Sequence, residues 1–294
     1  MQYTLTSLQL LREAYSPSLI GKGLGVRSVF HSNEKRYITL FLAIALPLLG
    51  FTSGDPQVLA QQDLPKIASV QPTFVPPPVP PGQGAPGQGR GQAGTRPGEL
   101  CPKVETPLTA LAPVYETNGE KSVWGLTVAE YPTFWFYVPY SLTAKLPVEF
   151  RLQDENDQDL YTTTFMAQTA PGVVSVQLPS TVAPLEIGKR YFWTFVVRCD
   201  PDESSSNIFV SGWVERIAPN STFITQLKTA TPQQLIALYA TNGIWYDGLT
   251  TLAQLRRTEP QKAALYESWA GLLKAVNLDD IIPKPIVECC TPEQ

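Results

Sequence analysis

The strongest restriction on the fold comes from residues 185–199, which read LEIGKRYFWTFVVRC. From Tyr191 to Cys199 every second residue is apolar, whereas the residues between them are mixed. A period of two is typical of a β-strand with one buried face. This stretch therefore predicts a long strand in a sheet that packs against a second layer.

The residues that lead into this strand have a characteristic spacing. Leu185, Gly188 and Tyr191 follow the pattern Leu-x-x-Gly-x-x-Tyr. The pattern resembles the tyrosine corner of immunoglobulin-like and fibronectin-type sandwiches, in which the tyrosine hydroxyl bonds to nearby backbone. An ordinary turn before an aromatic strand is the alternative interpretation.

Short alternating segments extend over residues 101–218, with turn residues about every 8 to 12 positions, as in β-sandwiches. We therefore predict an immunoglobulin-like or fibronectin-III-like β-sandwich over these residues. The predicted segments are Thr106–Val114, Val123–Val128, Thr133–Tyr140, Val148–Gln153, Asp159–Met166, Val174–Leu178, Tyr191–Cys199 and Asn207–Ile217.

The apolar period changes to that of helices in residues 219–294. Thr231 and Pro232 have the residue types that cap and open a helix, which we predict to run through Tyr239. A second helix is predicted from Ile244 to Arg257, and a third begins at Pro260.

The first two of these helices resemble a tetratricopeptide repeat in part of their spacing. A single pair of helices is too small to bury its own apolar faces, so we expect it to pack on an outer face of the sandwich. A plain helical hairpin that completes the core is the alternative. The residues that carry the resemblance are Leu235, Tyr239, Gly248, Leu252 and Pro260.

An apolar run near the N-terminus indicates export. Lys35 and Arg36 precede the 15 residues 37–51, YITLFLAIALPLLGF, and a small residue, Ala60, precedes Gln61. This order is that of a secretory signal peptide, so we predict cleavage between Ala60 and Gln61 and a periplasmic or extracellular location. A retained anchor is less favoured, because a spanning helix needs about 20 apolar residues.

Export also changes the composition of the mature chain. Residues 1–60 contain His31, the only histidine, and their removal leaves 17 basic against 23 acidic residues, a net charge of −6. A chain without histidine lacks Ser-His-Asp and Cys-His sites and histidine-ligated metals. The acidic balance argues against nucleic acid as a partner. Because 34 residues before a signal peptide are unusual, translation from Val29 is a further hypothesis.

Residues 61–100 separate the predicted signal peptide from the sandwich. Between Pro65 and Glu99 there are nine prolines and seven glycines, with almost nothing able to enter a core. This composition predicts a disordered tether. At about 3.1 Å per residue it reaches on the order of 100 Å when extended.

Few carboxylates lie within apolar motifs. Glycoside hydrolysis requires a pair of Asp or Glu side chains and no histidine, and only Glu130 and Asp247 are isolated carboxylates in apolar surroundings. Each also fits a structural role, at a strand end or a helix start. The acidic turn Asp154–Asp159 lacks the glycine and distal glutamate of an EF-hand loop, which favours a solvated hairpin turn over a calcium site. We predict no metal and no cofactor.

Three longer stretches together are similar to one family. They are GLTVAEYPTFWFYVPY at 125–140, PLEIGKRYFWTFVVRCD at 184–200 and IALYATNGIWYDGLTTLAQLRR at 236–257. They resemble the cyanobacterial domain of unknown function 928 family, over nearly all of residues 101–290. The resemblance implies a secreted or periplasmic protein. It implies no catalytic residues, because the family has no established activity.

The four cysteines are expected to be oxidised after export. Cys199 ends the long strand on its apolar face, and Cys101 precedes the first strand at the same end of the predicted sandwich, so we predict a Cys101–Cys199 disulfide. Cys289 and Cys290 are expected not to pair with each other, which leaves them for an anchor or an intermolecular link.

Two hypotheses for function follow. The first is a non-enzymatic binding or structural module of the cell envelope on a flexible tether, with an envelope protein or polymer as partner and membrane contact only through the signal peptide. Its predicted binding residues are Trp245, Tyr246, Arg256 and Arg257, because aromatic and basic residues are favoured interface anchors. The alternative is an envelope hydrolase with a carboxylate pair.

Overall fold

The computed structural model describes residues 72–78, 100–117, 119–200 and 204–290. They belong to one compact unit, residues 63–294. The described part contains nine strands, four α-helices and two short 3₁₀ turns. The strands are β1 Thr109–Ala110, β2 Val114–Thr117, β3 Glu120–Thr127, β4 Thr133–Val138, β5 Val148–Gln153, β6 Asp159–Phe165, β7 Gly172–Gln177, β8 Arg190–Val197 and β9 Ile208–Arg216, and the helices are α1 Ser221–Thr229, α2 Pro232–Thr241, α3 Trp245–Thr258 and α4 Ala263–Lys274.

The strands form two sheets. One has three strands in the order β1-β4-β7, and the other has six in the order β2-β3-β9-β8-β5-β6. The β3–β9 pair is parallel, and the other neighbouring pairs are antiparallel. The mainly β architecture with added helices is therefore confirmed. The predicted strand 106–114 is divided between β1 and β2, because Pro113 lacks the N–H that a continuous ladder needs.

Aromatic rings fill the space between the two sheets. Phe136 of β4 stacks on Phe195 of β8 with ring centroids 4.2 Å apart, and Phe134 lies 4.9 Å from Phe150 of β5. Burial alternates along β8, with Trp193 and Phe195 on the buried face. The apolar face that the sequence predicted for this strand is confirmed.

The hydrogen bond expected of a tyrosine corner is also present. The Glu186 N–H donates to the Tyr191 hydroxyl at 2.9 Å, which fixes the turn to the start of β8. Gly188 has a φ of +77°, in the region that residues with a side chain rarely adopt. The Leu-x-x-Gly-x-x-Tyr spacing therefore predicted both the turn at Gly188 and the hydrogen bond that joins the turn to β8.

The predicted helices begin close to their expected residues. Thr231 and Gln234 form a capping box at the start of α2, with Pro232 in its first turn. One helix, α1, was missed by the sequence analysis. Asn220 caps it through a hydrogen bond from the Phe223 N–H at 2.8 Å, but α1 buries only Phe223 and so lacks the apolar stripe on which the prediction relied.

Helix α3 packs on the outer face of the three-stranded sheet. The Trp135 indole N–H of β4 donates to the Thr250 hydroxyl of α3 at 3.0 Å. Trp135 points away from the rings between the sheets, because it alternates with Phe134 and Phe136 along the strand. This end of α3 lies over the outer face of the three-stranded sheet, whereas Tyr246 and Asp247 at its start contact β3, β8 and β9 of the six-stranded sheet.

The two cysteine predictions have different outcomes. Cys101 and Cys199 form a disulfide, as predicted. Cys289 and Cys290 also pair, with each other, so the expectation that these neighbours stay apart was wrong. Cys290 has a φ of +63°, a left-handed backbone conformation that accompanies the adjacent pair. Neither sulfur is free for an anchor or an intermolecular link.

The signal peptide, the Ala60–Gln61 cleavage site and the alternative start at Val29 lie outside the described residues. Within the described ranges, no helix is both long and apolar enough to cross a membrane.

Candidate functional site

The structure places the predicted aromatic anchors in the core. Trp245 is 1% exposed and donates its indole N–H to the Leu111 carbonyl at 2.8 Å. Tyr246 is 2% exposed, and its hydroxyl accepts from the Trp193 indole N–H at 2.8 Å and donates to the Trp213 carbonyl at 3.1 Å. The prediction that these two side chains form an open binding surface was wrong, because their polar atoms are needed to join α3 to the sheets.

The predicted basic anchors lie at the other end of α3. The Arg256 guanidinium is 4.9 Å from the ring centre of Trp269, and that of Arg257 is 5.0 Å from the ring centre of Trp135. Arg257 also donates to the Val287 carbonyl at 3.0 Å. The four predicted residues therefore do not converge on one site, and both arginines already cover tryptophan rings.

A different contact occupies the end of the helix pair. Residues 72–78, PTFVPPP, cross the turn between α2 and α3, and Phe74 is 7% exposed. The Phe74 ring meets Trp245 edge to face with centroids 5.0 Å apart. The Val75 N–H donates at 3.0 Å to the Ala240 carbonyl, which also accepts from the Gly243 N–H at 3.2 Å.

Gly243 allows the segment to approach this closely. It has a φ of +70°, and a Cβ atom at this position would lie 2.8 Å from Pro77 Cδ and 3.0 Å from the Val75 carbonyl oxygen. Any larger residue would therefore push the segment away. We name the surface formed by Ala240, Gly243 and Trp245 the segment-binding surface.

The docked segment corrects the prediction for residues 61–100 at one place. The composition of the whole stretch predicted a tether with almost nothing for a core, yet Phe74 is a core residue. The available signal was one aromatic residue in a proline-rich run. Composition averages over such a residue, which is why it was missed. The other residues of the tether, apart from Leu100, lie outside the described ranges.

A second feature is a cavity beside Asp247, in the first turn of α3. The Asp247 Oδ2 atom accepts from the Thr127 hydroxyl at 2.8 Å and from the Val128 N–H at 3.2 Å, which connects α3 to the end of β3. Burial raises the pKa of Asp247 to about 6, although these hydrogen bonds favour the ionised form. The hydrogen bonds therefore offset only part of the free-energy cost of burying the ionised Asp247 carboxylate.

The cavity has a volume of about 180 Å³. Three tyrosines, Tyr131, Tyr239 and Tyr246, contribute to its wall together with hydroxyl and amide side chains such as Thr250 and Gln254. Asp247 is the only charged residue in the described lining. The cavity wall is therefore aromatic and polar with one carboxylate, and the hydroxyls of Thr127, Tyr246, Thr250 and Thr251 already make hydrogen bonds within the domain.

The other candidate carboxylate, Glu130, has its own partner. Its Oε1 atom lies 3.2 Å from Arg216 Nη2, and Arg216 also donates to the Leu185 carbonyl. Glu130 does not belong to the described lining of the Asp247 cavity. This cavity offers one carboxylate where glycoside hydrolysis requires two.

The acidic turn is held by its own backbone. Asp154 Oδ1 accepts from the N–H groups of Asn156 at 2.8 Å and Gln158 at 2.9 Å, and these hydrogen bonds lower the pKa of Asp154. The carboxylate thus closes the hairpin turn, as the favoured interpretation holds. In the described ranges no group of three His, Cys, Asp or Glu side chains is placed to hold a metal ion.

These features define a class of domain: two β-sheets with a helical third layer, and a disulfide between the start of the domain and the end of β8. The chain belongs to the family described as Domain of Unknown Function (DUF928), whose model matches residues 91–286. The family resemblance seen in the sequence is confirmed.

No curated protein matches the chain with significant similarity. The crystal structure of the PmoD soluble domain from Methylocystis sp. ATCC 49242 (Rockwell) is similar over 38% of this chain and 94% of that chain, with 10% identity and a TM-score of 0.24. No conclusion about this chain is based on a likeness of that extent.

Proposed function

We propose that the chain is a non-enzymatic extracytoplasmic binding module, exported by its signal peptide, and that the segment-binding surface recognises an extended segment of an envelope protein. The observation that carries the proposal is the docking of residues 72–78 across the α2–α3 turn. Residues 72–78 of the chain itself show which kind of peptide the segment-binding surface can bind.

Each element of this contact is suited to recognition between chains. An aromatic ring packs against Trp245, a backbone N–H reaches a helix carbonyl, and a proline lies against Gly243. Prolines restrict a peptide before it binds, which lowers the entropy lost on binding. The favoured partner therefore carries an aromatic residue followed by prolines, in an extended conformation.

Two further observations support the finer parts of the proposal. The Cys101–Cys199 disulfide fits an oxidising compartment outside the cytoplasm. The tyrosine-corner hydrogen bond supports an immunoglobulin-like or fibronectin-III-like sandwich, and the packing of α2 on α3 supports the tetratricopeptide-like pair. A cyanobacterial origin remains part of the proposal, on the family resemblance.

The test uses the full chain with Phe74→Ala, which removes the aromatic anchor of the internal segment. A labelled peptide with the sequence of residues 71–80, QPTFVPPPVP, is titrated into the variant and followed by fluorescence anisotropy. We expect saturable binding to the variant and weaker binding to the unsubstituted chain, where the attached segment competes at high effective concentration.

The matched control is the same peptide with alanine in place of phenylalanine, QPTAVPPPVP. Circular dichroism establishes that the Phe74→Ala chain is folded. Equal anisotropy for the two peptides, or absence of binding to the folded variant, would show that the segment is only a fixed part of the domain.

A further inference from the structure

Asp247 has no cationic partner among the described residues. The ion pairs of this part of the chain all engage other carboxylates. Its hydrogen-bond donors, the Thr127 hydroxyl and the backbone N–H groups of Val128, Ala129 and Asp247 itself, are uncharged. An ionised carboxylate removed from water is stabilised most by an opposite charge. Asp247, which has no cationic partner among the described residues, lies in the wall of the cavity described above.

The cavity wall suits a compact cation. A positive group beside Asp247 would lie in a wall that also contains Tyr131, Tyr239 and Tyr246 and uncharged hydroxyl and amide side chains. Tyrosine rings attract cations through the negative potential of their faces. In the described lining there is no lysine or arginine to repel or replace such a group.

We propose that the cavity beside Asp247 binds a primary ammonium group, supplied by a small free amine or by the lysine side chain of a partner. An ammonium group is a compact point charge with three donors, which suits a single carboxylate in an otherwise uncharged wall. A guanidinium group fits less well, because it favours both oxygens of a carboxylate, and Oδ2 already accepts two hydrogen bonds. A calcium ion takes six to eight oxygen ligands, typically from several carboxylates.

Binding depends on pH through Asp247. Affinity is highest where the carboxylate is ionised and falls as the pH decreases through about 6. The other titratable groups in the described lining are Tyr131, Tyr239 and Tyr246. Burial raises the pKa of Tyr239 and Tyr246 above the ordinary phenol value near 10, so these two groups do not produce a transition near pH 6.

The experiment follows the backbone amides of Thr127, Val128 and Asp247 by nuclear magnetic resonance in the full chain at pH 7.5. The probes are ethanolamine, a blocked glycyl-lysyl-glycine peptide and guanidinium chloride, each at constant ionic strength against sodium chloride. We expect saturable shifts with one or both amines. Tighter binding of the lysine peptide assigns the site to a protein partner, and tighter binding of ethanolamine assigns it to a free amine.

Two comparisons decide the role of the carboxylate. Asp247→Asn is expected to weaken amine binding by roughly tenfold or more, whereas Glu130→Gln, the same change at a carboxylate outside the cavity lining, leaves it unchanged. In the unsubstituted chain, lowering the pH from 7.5 to 5 weakens binding by roughly tenfold, because most Asp247 side chains are then protonated. This second measurement does not require the Asp247→Asn chain to fold.

Three results would overturn the proposal. They are shifts that sodium chloride reproduces, amine binding that is the same at pH 7.5 and pH 5, and guanidinium binding that exceeds that of both amines. Each is independent of residues 72–78, so the proposal is tested separately from the segment-binding surface.

Discussion

The outer faces of the two sheets carry similar aromatic residues but have different environments. On the three-stranded sheet, Trp135 is 2% exposed beneath α3. On the six-stranded sheet, Phe192 of β8 and Trp213 of β9 pack together with centroids 5.1 Å apart, and both remain half-buried. The comparison shows that a strand with apolar residues on both faces does not by itself specify a third layer.

The largest loss of stability is expected from truncating Trp135, the ring that α3 covers. Trp135→Ala should lower the free energy of unfolding by about 3 to 5 kcal/mol, because it opens a cavity between sheet and helix and leaves the Thr250 hydroxyl without its donor. Urea titration followed by circular dichroism measures the change. A loss below about 1 kcal/mol would mean that α3 contributes little to the stability of this sheet.

The next effect concerns the disulfide that joins residues before β1 to residues after β8. Replacing Cys101 and Cys199 by serine together is expected to cost about 2 to 4 kcal/mol, since the bond closes a loop with a sequence separation of 98. Because the disulfide joins a residue before β1 to a residue after β8, the difference between Trp135→Ala and Trp213→Ala should persist in this background. If Trp135→Ala and Trp213→Ala lowered the free energy of unfolding equally in the chain without the disulfide, the packing of the helical layer would depend on that bond.

A smaller effect is expected from the open face. Trp213→Ala should cost about 1 to 2 kcal/mol, because the ring already borders water and its removal leaves no closed cavity. The backbone carbonyl of Trp213, which accepts from Tyr246, is retained. A loss as large as that of Trp135→Ala in the same urea titration would indicate that another layer covers this face.

The smallest effect concerns the cations above the two tryptophans. Arg257→Gln is expected to cost about 0.5 to 1 kcal/mol through the contact with Trp135. Arg190→Gln is the matched variant, because Arg190 lies over Trp213 at 5.9 Å and also pairs with Glu155 at 2.8 Å. Added salt should reduce the effect of Arg190→Gln more than that of Arg257→Gln. Equal salt dependence would contradict the distinction.

Local patterns predicted the parts of the fold that depend on neighbouring residues. The spacing before Tyr191 indicated the corner, and the cap at Thr231 indicated the start of α2. The Cys101–Cys199 pairing followed from strand order and from the end at which each strand finishes. These features depend on short-range geometry or on one topological assumption.

The predicted site failed because it required knowledge of packing. Trp245 and Tyr246 have residue types that suit an interface and also suit a core, and only the three-dimensional contacts distinguish the two roles. Phe74 shows the reverse case, since its surroundings in the sequence indicate a tether and its contacts place it in the core. Asp247 was noted as a carboxylate in an apolar motif, but its cavity is formed by residues distant in sequence.

The docking of residues 72–78 divides the proline-rich stretch that precedes the sandwich. In a mature chain that begins at Gln61, the eleven residues 61–71 precede the docked segment, and they span about 34 Å at 3.1 Å per residue. If the segment were released, the forty residues 61–100 would form one N-terminal arm with a reach more than three times as long. One aromatic contact, between Phe74 and Trp245, therefore sets how far that arm extends from the domain.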